Sequence, residues 1–299
     1  MFHKNFYWLI FCSLVAASLQ GEETEGAYVP TSFNPFSVSG EALAVSGANF
    51  YTPSVKGQKL HYAQADVAFG YTQPVSECGG WLLGAEYVAT RVAWAENPDF
   101  DEKLFNYVSF SAGAFTTTMT DWFWSSVINV LMDTQELDLV HYALYQGILW
   151  GKYKWCDWIT FHGGFIVEAG LNKGKIWPII GFEWAPYPEL WQLHVIYPVD
   201  ISFKYFLTSK LALGASLRFL RDRHRVGDDE PLPQGIFEYL TTGGEGDLIY
   251  KPFKGLSLTA FAGSTFGGDL KITNHNNNNA THYKFNGSFY GGGSAALNF

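Results

Sequence analysis

From about residue 40 to its end the chain alternates apolar and polar side chains with a period of two. The segment HYAQADVAFGY sets Ala63, Ala65, Val67, Phe69 and Tyr71 against Gln64, Asp66, Ala68 and Gly70. Further on, Trp81, Leu83, Ala85 and Tyr87 oppose Leu82, Gly84, Glu86 and Val88. Ile159, Phe161, Phe165, Val167 and Leu171 oppose Thr160, His162, Gly164 and Glu168, and Trp191, Leu193, Val195 and Tyr197 oppose Gln192 and His194. Such a period puts successive side chains on opposite faces of a strand. DISFKYFLTSKLALGASLRFL reads as a hairpin: Ile201, Phe203, Tyr205 and Leu207 face away from Ser202 and Lys204, and a turn at 208–210 leads to Leu211, Leu213, Ala215, Leu217 and Phe219, opposed by Arg218 among others. No window makes a convincing amphipathic helix. The most ambiguous one, DWFWSSVINVLMDTQEL, is dominated by β-branched and aromatic residues and reads as strand plus turn.

The class is therefore all-β, and three features favour a transmembrane antiparallel barrel over a soluble sandwich. The polar face is soft, built from Gly, Ala, Ser, Thr, Asn and Gln with an occasional charge, which suits a crowded lumen. The strands run long, where sandwich strands average about 5–6 residues and a tilted spanning strand needs ~9–11. Aromatics also gather at expected strand ends: Trp122 and Trp124; Trp150, Trp155 and Trp158; Trp177, Trp184 and Trp191; Tyr250 and Phe253. Amphipathic rings favour the headgroup zone. An open sheet edge in hydrocarbon leaves backbone groups unpaired, so the sheet must close. Chain length at roughly 20–25 residues per strand and connection gives about 12 strands, with about 10–14 allowed.

Composition narrows the class further. Aromatic residues make up 18% of the chain and charged residues 16%, against about 25% charged in average soluble domains. No helix-length apolar block follows the N-terminal segment. That segment, MFHKNFYWLIFCSLVAASLQGEE, has one basic residue, Lys4, then an apolar run and small residues up to Gly21. It has the layout of a cleaved secretory signal over residues 1–21, followed by a lead over 22–37 and one barrel domain over 38–299. Without Lys4 the chain carries 18 basic against 28 acidic residues, a net −10, which argues against a nucleic-acid partner. Two cysteines remain, Cys78 and Cys156, too few for a disulfide scaffold.

The last strand ends HYKFNGSFYGGGSAALNF, with Phe285, Phe289, Leu297 and the terminal Phe299 on one face. It resembles the insertion signal of Gram-negative outer-membrane proteins. That resemblance implies recognition by the assembly machinery, a lipid environment, and residence in the bacterial outer membrane. WPIIGFEWAPYPELWQLHVIYPVDISFKY and LPQGIFEYLTTGGEGDLIYKP are similar to a group of uncharacterised outer-membrane barrels of chlamydia-like and related Gram-negative bacteria. The resemblance covers about the C-terminal half and implies fold and location, not a mechanism.

The leading functional expectation is a channel or porin-like barrel for small polar solutes, with lumen charges setting ion preference. Asp66, Glu86, His162, Glu168, His194, Lys204 and Arg218 fall on the expected inner face. Arg221, Arg223 and Arg225 belong to a charged, proline-bearing loop expected over 221–235, where they face Asp228, Asp229 and Glu230. They form a constriction if that loop folds inward and a solvated, self-neutralising tip otherwise. A second loop, 267–282, is asparagine-rich. The competing reading is a closed structural or surface-interaction barrel. A rim hydrolase ranks third, on His162 with Glu168, His194 with Asp200, or Asp222 with His224, because none of these sits in a catalytic signature. A soluble secreted β-protein is last. No cofactor or metal motif occurs, and the oligomeric state is open.

Overall fold

The structure, a computed structural model, describes residues 34–134 and 137–299. The expected signal segment and most of the lead lie outside the described residues. Strands follow the alternation: β1 (Phe36–Asn49), β2 (Lys59–Ser76), β3 (Gly79–Ala93), β4 (Leu104–Thr116), β5 (Trp122–Asp133), β6 (Leu144–Cys156), β7 (Ile159–Gly170) and β8 (Lys173–Tyr187). They continue with β9 (Trp191–Tyr197), β10 (Asp200–Thr208), β11 (Leu211–Arg225), β12 (Ile236–Tyr250), β13 (Leu256–Thr273), β14 (Thr281–Phe285) and β15 (Phe289–Asn298).

Each strand pairs antiparallel with its sequence neighbour, and β15 pairs with β1. β14 and β15 pair successively along β13 and form one interrupted stave. With β12 also bonded to β13, the sheet closes as a ring of 14 staves, within the range expected from chain length. Ring closure thereby removes the free sheet edge around the lower band, as hydrocarbon demands. Side chains alternate as the period of two requires. Val67, Phe69, Phe110, Ile128, Ile176 and Ile180 are exposed on the outer face, while Asp66, Ser109, Asn129, Gln146 and Glu168 are buried within.

The two ends differ. One carries the start of β1, the end of β15 and short turns, and Phe36 and Phe299 exchange backbone hydrogen bonds there at 3.0 and 2.9 Å. Trp155, Trp158, Trp184, Tyr250 and Phe253 project around this turn end, giving the aromatic girdle expected of a membrane barrel. Trp150 and Trp177 were expected in that girdle but lie inside, 4% and 3% exposed. They stand on the inward register with Val127 and Ile166, so the alternation, not their residue type, sets their face. The other end carries the longer loops.

The wall is not uniform. β10 pairs with β11 only up to Leu217, and β9 reaches β8 only from Ile180 downward. Above that short β9–β10 hairpin, residues 173–179 of β8 and 218–225 of β11 have no ladder between them. Pro178 occupies the β8 edge, where its missing N–H forfeits nothing. With its β11 edge unpaired from β8, the upper β11–β12 hairpin turns into the lumen while β12 keeps its ladder to β13 through Ile236–Thr241. There it packs an apolar core with Leu60, Tyr62, Phe105, Phe237, Tyr239 and Phe285.

Candidate functional site in the lumen

Both faces of the upper β11 strand are buried, because it has the interior of the barrel on each side. On one face the His224 ring stacks on Tyr107 of β4 at 4.3 Å, and the Tyr107 hydroxyl donates to the Arg223 carbonyl oxygen at 3.0 Å. β4 lies on the far side of the ring from β11, so these contacts cross the lumen. On the other face the Arg221 guanidinium lies over the Trp177 ring at 5.3 Å and pairs with Glu238. Arg223 donates to the Leu171 carbonyl oxygen at 2.6 Å and stands 3.7 Å from Glu168. Arg225 donates to the carbonyl oxygens of His141 and Gln234 at 2.8 and 2.9 Å.

This corrects the expected exposed loop over 221–235. Arg221, Arg223 and Arg225 belong to a strand and are 4%, 1% and 3% exposed. Their partners are Glu238 of the same hairpin, Glu168 of β7 and backbone carbonyls rather than Asp228, Asp229 and Glu230. The connection itself is 226–235, and the asparagine-rich loop is 274–280 because β13 and β14 extend further than expected.

Lower in the lumen, Arg218 forms an ion pair with Glu41 of β1 at 2.5 Å and Glu245 of β12 at 2.7 Å, over the Phe261 ring at 4.2 Å. Asp66 is buried opposite Glu41 in the β1–β2 ladder. His162 does not meet Glu168. It accepts the Trp150 indole N–H at 3.0 Å and stands 3.0 Å from Glu183. His194 and Asp200 do meet, at 2.8 Å, and so do His224 and Asp222, at 2.8 Å. Ser202 faces His194 in the β9–β10 ladder, yet its hydroxyl is not hydrogen-bonded to the ring, so no activated nucleophile is assembled there. Lys204 stands inward, opposite Gly214 and beside the Asp247 register. Glu41, Glu183, Glu238 and Glu245 escaped the sequence reading, because only the cross-strand register reveals them as partners.

At the loop end, the β3–β4, β5–β6 and β11–β12 connections converge on a cavity of about 420 Å³ lined by Asp101, Glu102, Asp133, Tyr142, Arg225 and Glu230 among others. Glu230 accepts the backbone N–H groups of Asp101 and Glu102 at 2.5 and 3.0 Å. Burial, then the nearby Asp133 charge, pushes the Glu102 carboxyl up to about 7. A second cavity, of about 90 Å³, lies beneath the in-folded hairpin. The lumen is thus an acidic vestibule, a hairpin, a small polar chamber and a charged lower belt, in series.

No family model matches the chain. It is 34% identical over 279 residues to an uncharacterised protein of Chlamydia muridarum, covering 88% of this chain and 87% of that one. It is 32% identical over 280 residues to an uncharacterised protein of Chlamydia pneumoniae, covering 89% and 87%. Among solved structures it is similar to an outer membrane channel from Pseudomonas putida F1, with a TM-score of 0.49 and 9% identity over 93% of this chain and all (100%) of that one. It is also similar to the translocator domain of the autotransporter NalP from Neisseria meningitidis, with a TM-score of 0.41 and 13% identity over 97% and 94%.

Proposed function

The chain belongs to the family of these Chlamydia proteins, and we propose that it is an outer-membrane channel for small polar solutes, closed in this conformation by its own β11–β12 hairpin. The observation that carries the reading is the in-folded hairpin. It is held to the opposite wall by the His224–Tyr107 stack, to β7 by the Arg223–Glu168 pair and to β8 by the Lys175–Glu238 pair at 2.8 Å, while the wall below it stays a continuous ladder. The upper β11 edge has no ladder to β8, so the hairpin can move together with the upper β12–β13 ladder while the ring below Thr241 keeps its pairing. The loop end then faces outward and the turn end inward, as in other bacterial outer-membrane barrels. The last strand, with Phe289, Leu297 and Phe299, is the segment for the assembly machinery to read.

The test is single-channel recording in a planar bilayer. The wild-type barrel is expected to give rare, small steps. A variant whose residues 221–238 are replaced by a tight turn is expected to give large, sustained ones. A folded deletion variant without conductance would exclude the channel reading. It would favour a closed barrel that binds a partner through its loops, a reading supported by the apolar packing at the loop end.

A further inference from the structure

The chamber beneath the hairpin has a chemical bias. Part of its wall is a polar track across β3 to β7, and another part is apolar, with Val88, Leu131, Leu144, Phe219 and Leu220. Glu86 stands opposite Ser109 across β3 and β4. Two positions along, Ser111, Asn129, Gln146 and Glu168 form one straight row over β4 to β7. The Asn129 amide nitrogen donates to the Gln146 side-chain oxygen at 3.0 Å. That leaves Asn129 Oδ1 with no donor among the described residues, and Glu86 Oε1 also has none. Both residues line the chamber and are buried, 1% and 7% exposed.

The arginines at and beside the chamber each have an acceptor. Arg218 pairs with Glu41 and Glu245, Arg221 with Glu238, and Arg223 with the Leu171 carbonyl oxygen and Glu168. Asp222 also lines the chamber, with one oxygen held by the Arg223 backbone N–H and His224. Glu86 and Asn129 therefore each present to the chamber a buried oxygen that no donor among the described residues meets, and Glu86 has no ion-pair partner among them. Buried acceptors and buried charge are costly unless a donor or an opposite charge reaches them.

We propose that this chamber binds one small monovalent cation, an alkali ion or a primary ammonium, between Glu86 and Asn129. Several waters' worth of space at ~30 Å³ each admits a partly hydrated ion or a small amine. One carboxylate and one amide oxygen make a weak field for stripping a divalent ion of its water. Among the described residues no group of three or more His, Cys, Asp or Glu side chains gathers as a chelating set. Occupancy is read from binding, so the proposal does not depend on conduction.

The test is thermal unfolding of the folded barrel in detergent. Sodium, potassium or methylammonium chloride replaces choline chloride at constant ionic strength, because choline is bulky and has no N–H. A saturable rise in Tm is expected with the alkali ions or with methylammonium, and which series saturates tells the two sources apart. Glu86→Gln is expected to weaken half-saturation at least tenfold, and Asn129→Asp to tighten it. Equal Tm in all salts, or the same half-saturation in wild type and Glu86→Gln, overturns the proposal. If Glu86→Gln does not fold, an Asn129→Asp barrel with unchanged affinity overturns it as well.

Discussion

The rings of Tyr62 and Tyr239 lie face to face, 4.2 Å between centroids and 9° between planes, although β13, β15 and β1 separate β2 from β12 around the wall. Staves that far apart do not meet in an open ring. The stack exists because the upper β11–β12 hairpin, still laddered to β13, turns inward across the lumen. Tyr239 is 1% exposed and also stacks on Phe285 at 5.4 Å, so it anchors the hairpin to both β2 and β14.

Tyr239→Ala is expected to undock the hairpin. Truncating a buried aromatic costs about 3–5 kcal/mol, and here the loss falls on the hairpin rather than on the ladder below. Conductance steps should become frequent, with little change in the heat-modifiable gel shift that reports the ring. Tyr239→Phe keeps the stack and should behave as wild type. Equal conductance in wild type and Tyr239→Ala would show that this stack does not hold the pore shut.

Arg218 is the second fastening. Its guanidinium serves Glu41 and Glu245 together, and its side chain is only 11% exposed. Arg218→Met removes one cation and leaves two confined carboxylates, and breaking a buried pair in this way costs about 3–5 kcal/mol. Arg218→Lys should recover only part of that, since an ammonium cannot fork between two carboxylates. Urea unfolding of the detergent-folded barrel measures both. Full recovery by lysine would mean that net charge, not bidentate geometry, is what the site needs.

The fold was legible because its signal is local. The alternation of Val67 and Phe69 with Asp66 and Ala68 names the strand and its lipid face without any neighbour. The lumen site was legible only as a list. His194 and Asp200 flank a turn and find each other at short range, whereas Arg218 finds Glu41 through a closure that joins the two ends of the chain. Asp222 and His224 alternate with three arginines, a pattern that looks like a solvated tip. What buries it is the early end of the β9–β10 hairpin, a matter of strand length on a different stave. Trp150 and Trp177 misled because tryptophan at a strand end suits a girdle and a lumen equally well. Only the register chose between them.

The loop-end vestibule should respond to pH through Glu102. Its carboxyl is raised to about 7, chiefly by burial and then by Asp133, with the Gly227 N–H and His224 acting the other way and Glu230 adding to the rise. A carboxyl raised in the folded state binds more protons folded than unfolded, so stability falls as pH rises through this window. The contribution is complete below the ordinary glutamate value of about 4.3 and is lost as pH passes about 7. Thermal unfolding at pH 4.5 and 7.5 should show a drop that is smaller in Glu102→Gln. An identical drop in both proteins would assign the pH dependence to other groups.

Sidedness is checked by labelling. Cys78 is exposed in the β2–β3 turn, at the same end as Phe36 and Phe299. On intact cells a membrane-impermeant maleimide should leave it unmodified. It should modify a cysteine placed by Asn276→Cys in the 274–280 loop, made in a background where Cys78 and Cys156 are serine. The reverse pattern would invert the barrel and turn the acidic vestibule inward.

The β12–β13 ladder at the base of the in-folded hairpin is irregular around Gly267 of β13. Its φ is +96°, and a Cβ there would stand 3.0 Å from the Phe285 carbonyl oxygen. The next residue is as constrained, for a Cβ on Gly268 would lie 2.3 Å from the Leu240 carbonyl oxygen and 2.4 Å from the Phe285 ring. The β12–β13 register also shifts between Thr241 and Gly243 at this height, and the β14–β15 stave is interrupted beside it. Three neighbouring staves therefore give way at one level, which makes it a hinge line rather than a local defect. Gly267→Val forces a β-branched residue out of the left-handed region, and the strand above it must straighten. Straightening lifts Phe285 away from Tyr239 and, with it, the hairpin from Tyr62. The expected result is a barrel that still migrates as folded, conducts more than wild type, and is cleaved faster by protease in the 226–235 connection. A Gly267→Val protein that folds but neither conducts nor is cleaved faster would place the hinge elsewhere and leave the hairpin a fixed part of the wall.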